Sequence, residues 1–243
     1  MIRFDILTLF PDMFKGLVED SIIKRAIEKK LIEVNLIDFR EFSTNKHHTV
    51  DDYSYGGGAG MLISVEPVHL AMKTIPNLDS AKKLLMSQSG KTLTQNKVQE
   101  LAKEEHIVMV CGHYEGIDAR ILNFIDEEIS IGDYVLMGGE VPAMAILEAV
   151  SRLVPGVISE DSPVNESFSD SLLEHPQYTR PQTYEGYDVP DVLLSGHHAN
   201  IKKWQRQKAL EKTLRVRPDL LKTANLNLQD YKYLWELKQN EKN

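Results

Sequence analysis

The sequence predicts an α/β layer fold with a largely parallel sheet, followed by a small basic helical domain. Three observations lead there. Strand and helix signals alternate through the first two-thirds of the chain, the pattern of a parallel sheet covered by helices. The most apolar short run, IVMVCG (107–112), is β-rich and suits a strand in mid-sheet. From Ala199 onward apolar residues recur at helical spacing, through Ile201, Trp204, Leu210 and Leu214, then Leu220 and Leu221, then Tyr231, Leu234 and Leu237.

The elements follow in order. IRFDILTL (2–9) reads as a buried strand, and Phe14, Leu17, Ile22 and Ala26 give helical spacing over 13–30. EVNLIDF (33–39) is a strand, and 65–75 a helix with Pro67 in its first turn. LLMSQ (84–88) is a strand, after which Thr94 caps a helix running to about 103. After 107–112 come a helix near 117–124, a short strand near 128–131 and a helix from about 140 to 153. Residues 154–196 hold five of the ten prolines and no periodic apolar run. A loop that long is a working segment or a linker. The expected domains are 1–153, a linker at 154–175, and 176–243.

The composition excludes several classes. In 243 residues, 42% are hydrophobic and 26% charged, ordinary globular values that rule out disordered, collagen-like and coiled-coil chains. No stretch approaches the ~18 apolar residues of a membrane span. The acidic MIRFDILTLFPDMF start is unlike a signal peptide. With one cysteine, Cys111, an intrachain disulfide and a Cys-based zinc cluster are both excluded, and the cytoplasm is the expected location. The net charge of −8 hides an asymmetry. Residues 1–196 carry 17 bases and 31 acids, whereas 197–243 carry 11 bases and 5 acids. A basic tail on an acidic body points to a polyanionic partner or to a solvated helical surface.

Three glycine-bearing clusters carry the functional signal. YGGGAGM (55–61) is neither a phosphate-binding P-loop, since no Gly-Lys-Ser/Thr follows, nor a dinucleotide fingerprint. It reads as a tight turn or as a loop that lets a ligand approach its backbone. VCGHYEGID (110–118) carries a buried strand into a turn, and ligands of parallel sheets bind outside the carboxyl ends of strands. Gly112 can expose backbone groups there, and Glu115 can accept hydrogen bonds. In ISIGDYVLMGGEVPAM (129–144), Gly132, Gly138 and Gly139 interrupt a β-like segment and Asp133 is expected to be exposed. Such a segment forms bulges or wraps something flat. The adjacent pairs His47–His48 and His197–His198 diverge on any regular element, and no metal-ligand spacing occurs. Without GxSxG, and with Cys111 inside an apolar strand, covalent hydrolase chemistry is not expected.

Together, YGGGAGM, VCGHYEGID, SIGDYVLMGGEVPAM, SFSD, HPQYTRP and VLLSGHH resemble the bacterial tRNA (guanine-N1)-methyltransferases, over nearly the whole chain and in that family's order. The resemblance implies methylation of the guanosine immediately 3′ of the anticodon, with S-adenosylmethionine as donor. It implies the SPOUT class, in which the parallel sheet has helices on both faces and a deep trefoil knot at the donor site. It also implies a homodimer whose active sites are shared between subunits. The donor pocket carried over comprises Leu85, Met86 and Ser87; Gly112, Tyr114 and Glu115; and Ser130, Ile131, Gly132, Asp133, Tyr134, Val135, Leu136, Gly138, Gly139 and Pro142. The family's assisting arginine matches Arg152. Its catalytic aspartate precedes Ser-Phe, where this chain has Glu166, with Asp170 and Asp161 nearby. The family's Tyr-Leu-Ser-Pro strand end is Leu85-Met86-Ser87-Gln88 here, an apolar wall without its ring.

That chemistry needs a carboxylate to take the N1 proton, help worth typically ~10²–10⁴-fold, and a cation for the charge that grows on O6. Arg152 suits the second task. No metal is required, and a Mg²⁺ ion assisting charge balance is compatible. The target base must leave its stack, and Lys202, Lys203, Arg206, Arg215 and Arg217 can hold phosphates. Trp204 can stack on a base or fill the helical core. Two other readings are a knotted methyltransferase of ribose 2′-hydroxyls, which would not need the SFSD carboxylate, and a non-catalytic RNA-binding protein, which would not need the donor loops. Gly139→Val is expected to block the pocket and leave the fold intact.

Overall fold

The computed structural model describes residues 1–159, 167–168 and 171–240. The chain divides into two compact units, Met1–Glu160 and Asp161–Asn243.

The first unit runs β1 (Ile2–Thr8), α1 (Lys15–Val18), α2 (Ser21–Glu28), β2 (Ile32–Asp38), β3 (Asp51–Tyr53), β4 (Met61–Ile63), α3 (Val65–Lys73), β5 (Lys82–Thr92), α4 (Gln95–Leu101), β6 (His106–Cys111), β7 (Glu127–Ser130) and α5 (Glu140–Ser151). Five strands form a parallel sheet in the order β2-β1-β6-β5-β7. Strand side chains alternate between faces. Phe4, Ile6, Met109 and Cys111 therefore pack with α2, α4 and α5, through Ala26, Leu101, Ile146 and Val150. On the other face Leu7, Val108 and Val110 pack with α3 through Val68, Ala71 and Met72. Covered on both faces, β6 is buried along its whole length, which is why its sequence is apolar without alternation.

Local chemistry sets several boundaries that differ from the expected ones. The helix expected over 13–30 is broken at Asp20–Ser21. Asp20 is extended (φ −138°, ψ 167°) and its carboxylate accepts the Ser21 N–H at 2.6 Å. Residues 119–124 form a 3₁₀ turn rather than an α-helix, started by Asp118 accepting the Arg120 N–H at 2.9 Å. Thr94 does cap α4, its hydroxyl accepting the Lys97 N–H. The strand expected at 84–88 extends to Thr92, because its pairing with β7 shifts between Met86 and Lys91 and then resumes. The β3–β4 hairpin leaves no periodic signal in the sequence, since its strands are three residues each.

The second unit is built around α7 (His198–Val216) and α8 (Leu228–Asn240), with a two-residue-strand hairpin, β8 (Thr183–Tyr184) and β9 (Tyr187–Asp188), and a short α6 (Asp191–Leu194). Leu172, Ala209, Leu210 and Leu234 form its core. Asn227 opens α8, accepting the Asp230 N–H at 3.0 Å, while Asp230 accepts the Asn227 N–H at 2.9 Å. This reciprocal cap satisfies two helix-terminal donors.

Candidate active site

Three segments meet at the carboxyl end of the sheet: the interrupted part of β5, the turn after β6, and the loop from β7 to α5. They enclose a cleft of about 320 Å³, within the usual size of small-molecule sites. Leu85, Met86 and Ser87 line it from β5, and Gly112, Tyr114 and Glu115 from the turn. The loop contributes Ser130, Ile131, Gly132, Tyr134, Val135 and Leu136, then Gly138, Gly139 and Pro142 at the start of α5. Of the residues expected here, Asp133 is not in the lining and is exposed.

The cleft exists because backbones approach closely. The Gly139 N–H donates to the Gly112 carbonyl at 2.8 Å, and His113 bridges Gly138. A Cβ on Gly139 would lie 2.8 Å from Cys111 Cα and 2.9 Å from Met86 Cβ. Its missing side chain therefore makes room for the sheet, not for a ligand, and a valine there would press on the fold as well as on the cleft. Tyr114 takes the left-handed region (φ +58°), a conformation costly for a non-glycine residue and common at functional sites.

Buried polar groups sit beneath this floor. Glu140, the first residue of α5, is 1% exposed and accepts the Thr8 hydroxyl at 2.8 Å. Burial and the Glu140 carboxylate push the Cys111 thiol well above its usual value. An inert thiol suits a core residue, not a nucleophile. In the turn after β6 the Arg120 guanidinium holds the Asp118 carboxyl below its ordinary value.

The glycine-rich motif forms the tip of the β3–β4 hairpin, beside the cleft. The Glu115 N–H donates to the Met61 carbonyl at 3.2 Å and the Ile63 N–H to the Gly116 carbonyl at 2.9 Å. Tyr53 and Tyr55 stand exposed on it.

Glu166 and Asp170, and with them Asp161, lie outside the described residues. Arg152 is the C-cap of α5 and is exposed. The twelve-residue helix separates it from the cleft by about 18 Å along its axis. Within one chain Arg152 therefore does not reach the cleft that Pro142 lines.

In the second unit Lys202, Lys203, Arg215 and Arg217 are exposed. Arg206 instead pairs with buried Asp230 at 2.9 Å and donates to the Asn225 carbonyl at 2.8 Å, and Arg217 pairs with Asp219 at 2.6 Å. Trp204 lies beside the rings of His175 and Tyr178, with centroids 6.3 Å away in each case. The Tyr233 hydroxyl, desolvated and bonded to Glu211, is pushed up to about 12.

Among the described residues no group of three or more His, Cys, Asp or Glu could hold a metal ion, and no helix is long and apolar enough to cross a membrane. Sequence reasoning missed Thr8, His113 and Glu140. The available signal was Glu140 itself, a charge ahead of the apolar run from Val141 to Leu147.

The family model described as tRNA (Guanine-1)-methyltransferase TrmD matches residues 2–223. A relative from Caldanaerobacter subterraneus, named tRNA (guanine-N(1)-)-methyltransferase, is 53% identical over 96% of this chain and 97% of its own. Proteins of the same name from Moorella thermoacetica and Staphylococcus haemolyticus are each 50% identical, over 98% of both chains in the first case and 99% of both in the second.

Proposed function

The chain belongs to the tRNA (guanine-1)-methyltransferase family and methylates N1 of guanine in tRNA from S-adenosylmethionine, and from that premise we propose which of its residues do so and where. The observation that carries the proposal is the convergence of the three glycine-bearing segments on one cleft at the carboxyl ends of β5, β6 and β7. That cleft is the donor site. Its fit rests on an apolar wall at Leu85, Met86 and Leu136, glycines at positions 112, 132, 138 and 139 in its lining, and a carboxylate at Glu115. When bound there, S-adenosylmethionine supplies an electrophilic methyl group on a sulfonium.

The protein's own groups prepare the guanine. N1 is a poor nucleophile until its proton leaves. A carboxylate in the segment after the first unit takes it: Glu166, with Asp170 as its alternative. As the proton leaves, charge grows on O6 and the Arg152 guanidinium stabilises it. Much of the remaining effect is alignment of N1 with the methyl group. Mg²⁺ assisting charge balance is compatible with this scheme and required by none of its steps.

The rest of the proposal concerns assembly. The target is the guanosine immediately 3′ of the anticodon. The enzyme is a cytoplasmic homodimer, supported by the distance of Arg152 from the cleft of its own chain and by exposed Val135, Met137 and Val141 around the cleft. The backbone is knotted where the loop before Gly139 crosses the ends of β5 and β6, and the second unit is the basic helical domain that holds phosphates through Lys202, Lys203 and Arg215. The deciding experiment is methyl transfer to tRNA transcripts with and without a guanosine after the anticodon. Transfer only to the first supports the site, and equal transfer to both contradicts it.

A further inference from the structure

His113 follows the end of β6, and its Nδ1 is buried without a hydrogen-bond partner. A buried donor or acceptor left so is costly and calls for a partner. Glu140 Oε2 stands 3.8 Å away, an ion-pair distance that a small rotation turns into a hydrogen bond. The other oxygen of Glu140 is already fixed. Thr8 accepts the Phe10 N–H at 2.9 Å, so its own proton points to Glu140 Oε1 at 2.8 Å. Gly138 lies between the two groups: a Cβ there would sit 2.3 Å from Glu140 Oε2 and 2.4 Å from His113 Nδ1. The glycine thus leaves room for carboxylate and imidazole to meet. Phe10 packs on the imidazole with centroids 4.8 Å apart.

We propose that Glu140 is a positioning residue of the methyl-donor site: its carboxylate, anchored by Thr8, accepts a hydrogen bond from His113 Nδ1–H and so locks the Gly138–Gly139 floor against the end of β6. The inference rests on the reading of this cleft as the donor site. The link joins two of the three segments that shape the cleft, the turn after β6 and the start of α5, and ties both to the end of β1, since His113 lines the cleft beside Gly112, Glu140 opens α5 and Thr8 ends β1. Placed in the first turn of that helix, the negative charge also suits the helix dipole. A free imidazole carries its proton on either nitrogen, whereas this link requires it on Nδ1.

The test uses the full-length enzyme. Nitrogen-15 spectra of its histidines, recorded without donor, read which nitrogen of His113 is protonated. We expect Nδ1–H in the wild type and loss of that preference in Glu140→Gln. In methyl transfer, Glu140→Gln is expected to raise the donor KM about tenfold, with the KM for tRNA within about twofold. His113→Asn should do the same, and the double variant should be no worse than either single one, as coupled residues require. A proton on Nε2 in the wild type overturns the proposal. So does a folded Glu140→Gln with unchanged donor KM, or additive effects of the two substitutions. If Glu140→Gln does not fold, His113→Asn with the wild-type spectrum decides on the same readouts. Calorimetric donor binding by the wild type separates the two levels: if the donor does not bind at all, the reading of the cleft fails, and if it binds with His113 protonated on Nε2, only the role of Glu140 fails.

Discussion

The Gly139 N–H donates to the Gly112 carbonyl at 2.8 Å, which ties the loop leaving the edge strand into the end of the strand two places further in. No side chain fits at this junction. In Gly139→Ala the new carbon would stand 2.8 Å from Cys111 Cα and 3.0 Å from Gly112 N, and neither backbone group can swing away. Overpacking of this kind costs about 1–3 kcal/mol. We expect a lower melting temperature together with donor affinity reduced about tenfold or more. A variant of wild-type stability and affinity would show that the junction gives way freely.

How far the sequence discloses this junction differs between its parts. The strands are plain where two-sided burial makes them apolar, as in β6, and the capping of α4 by Thr94 is a local signal. The loops that line the cleft are legible because glycine density marks close approach of backbones. The Glu140–Thr8 hydrogen bond spans 132 residues, and no local pattern announces a pairing at that separation. The shift in β5 is equally silent, because it depends on what β7 presents. Arg206 shows the reverse case: its charge suggests a phosphate ligand, but in the fold its guanidinium is committed to Asp230.

That difference separates the basic residues by experiment. Arg206→Ala leaves Asp230 buried without its cation, and should lower the stability of the protein by about 1–3 kcal/mol. Lys202→Ala and Lys203→Ala should leave stability unchanged and weaken tRNA binding. Removing one phosphate-binding cation should flatten the salt dependence of tRNA affinity by about one unit of log–log slope. Donor binding, measured by calorimetry, should be the same in all three. A salt slope unchanged in both lysine variants would remove those residues from the RNA surface.

Acid stability should depend on Asp5. Burial disfavours its ionised form, but hydrogen bonds from Arg3, His106 and Asn35 outweigh that and hold its carboxyl below the ordinary value. A depressed carboxyl stabilises the fold above the unfolded-state value of about 3.9 and loses that contribution as pH falls below it. Asp5→Asn should therefore be less stable than the wild type at pH 7 by about 1–3 kcal/mol, and the gap should narrow on acidification towards about pH 3. Urea unfolding at the two pH values measures it. A gap that widens in acid would mean that Asp5 is held neutral in the fold.

The proposed base is tested at its own position. Glu166→Gln keeps the size of the side chain and removes its basicity, so turnover should fall about 10²-fold or more with donor affinity intact. Glu166→Asp should retain substantial activity. If Asp170→Asn is inactive and Glu166→Gln is normal in single-turnover assays, the base is Asp170.

The proposed sharing of active sites between two chains gives the most direct test of assembly. Pro142 lines the cleft at one end of α5 and Arg152 caps the other, so one chain cannot bring its own arginine to its own cleft through that helix. A second chain can. Glu115→Ala should damage the donor cleft, and Glu166→Gln should remove the base. Each homodimer should be nearly inactive. In a mixed dimer with shared sites, one site carries both defects and the other carries neither. After random reassembly of equal amounts, half of the dimers are mixed and each has one intact site, so activity should return to about a quarter of the wild-type level, as the symmetry of an isologous dimer requires. Glu115→Ala mixed with wild type serves as the control for exchange, and native mass spectrometry counts the mixed dimers. Mixed dimers without recovered activity would place donor cleft and base in the same chain.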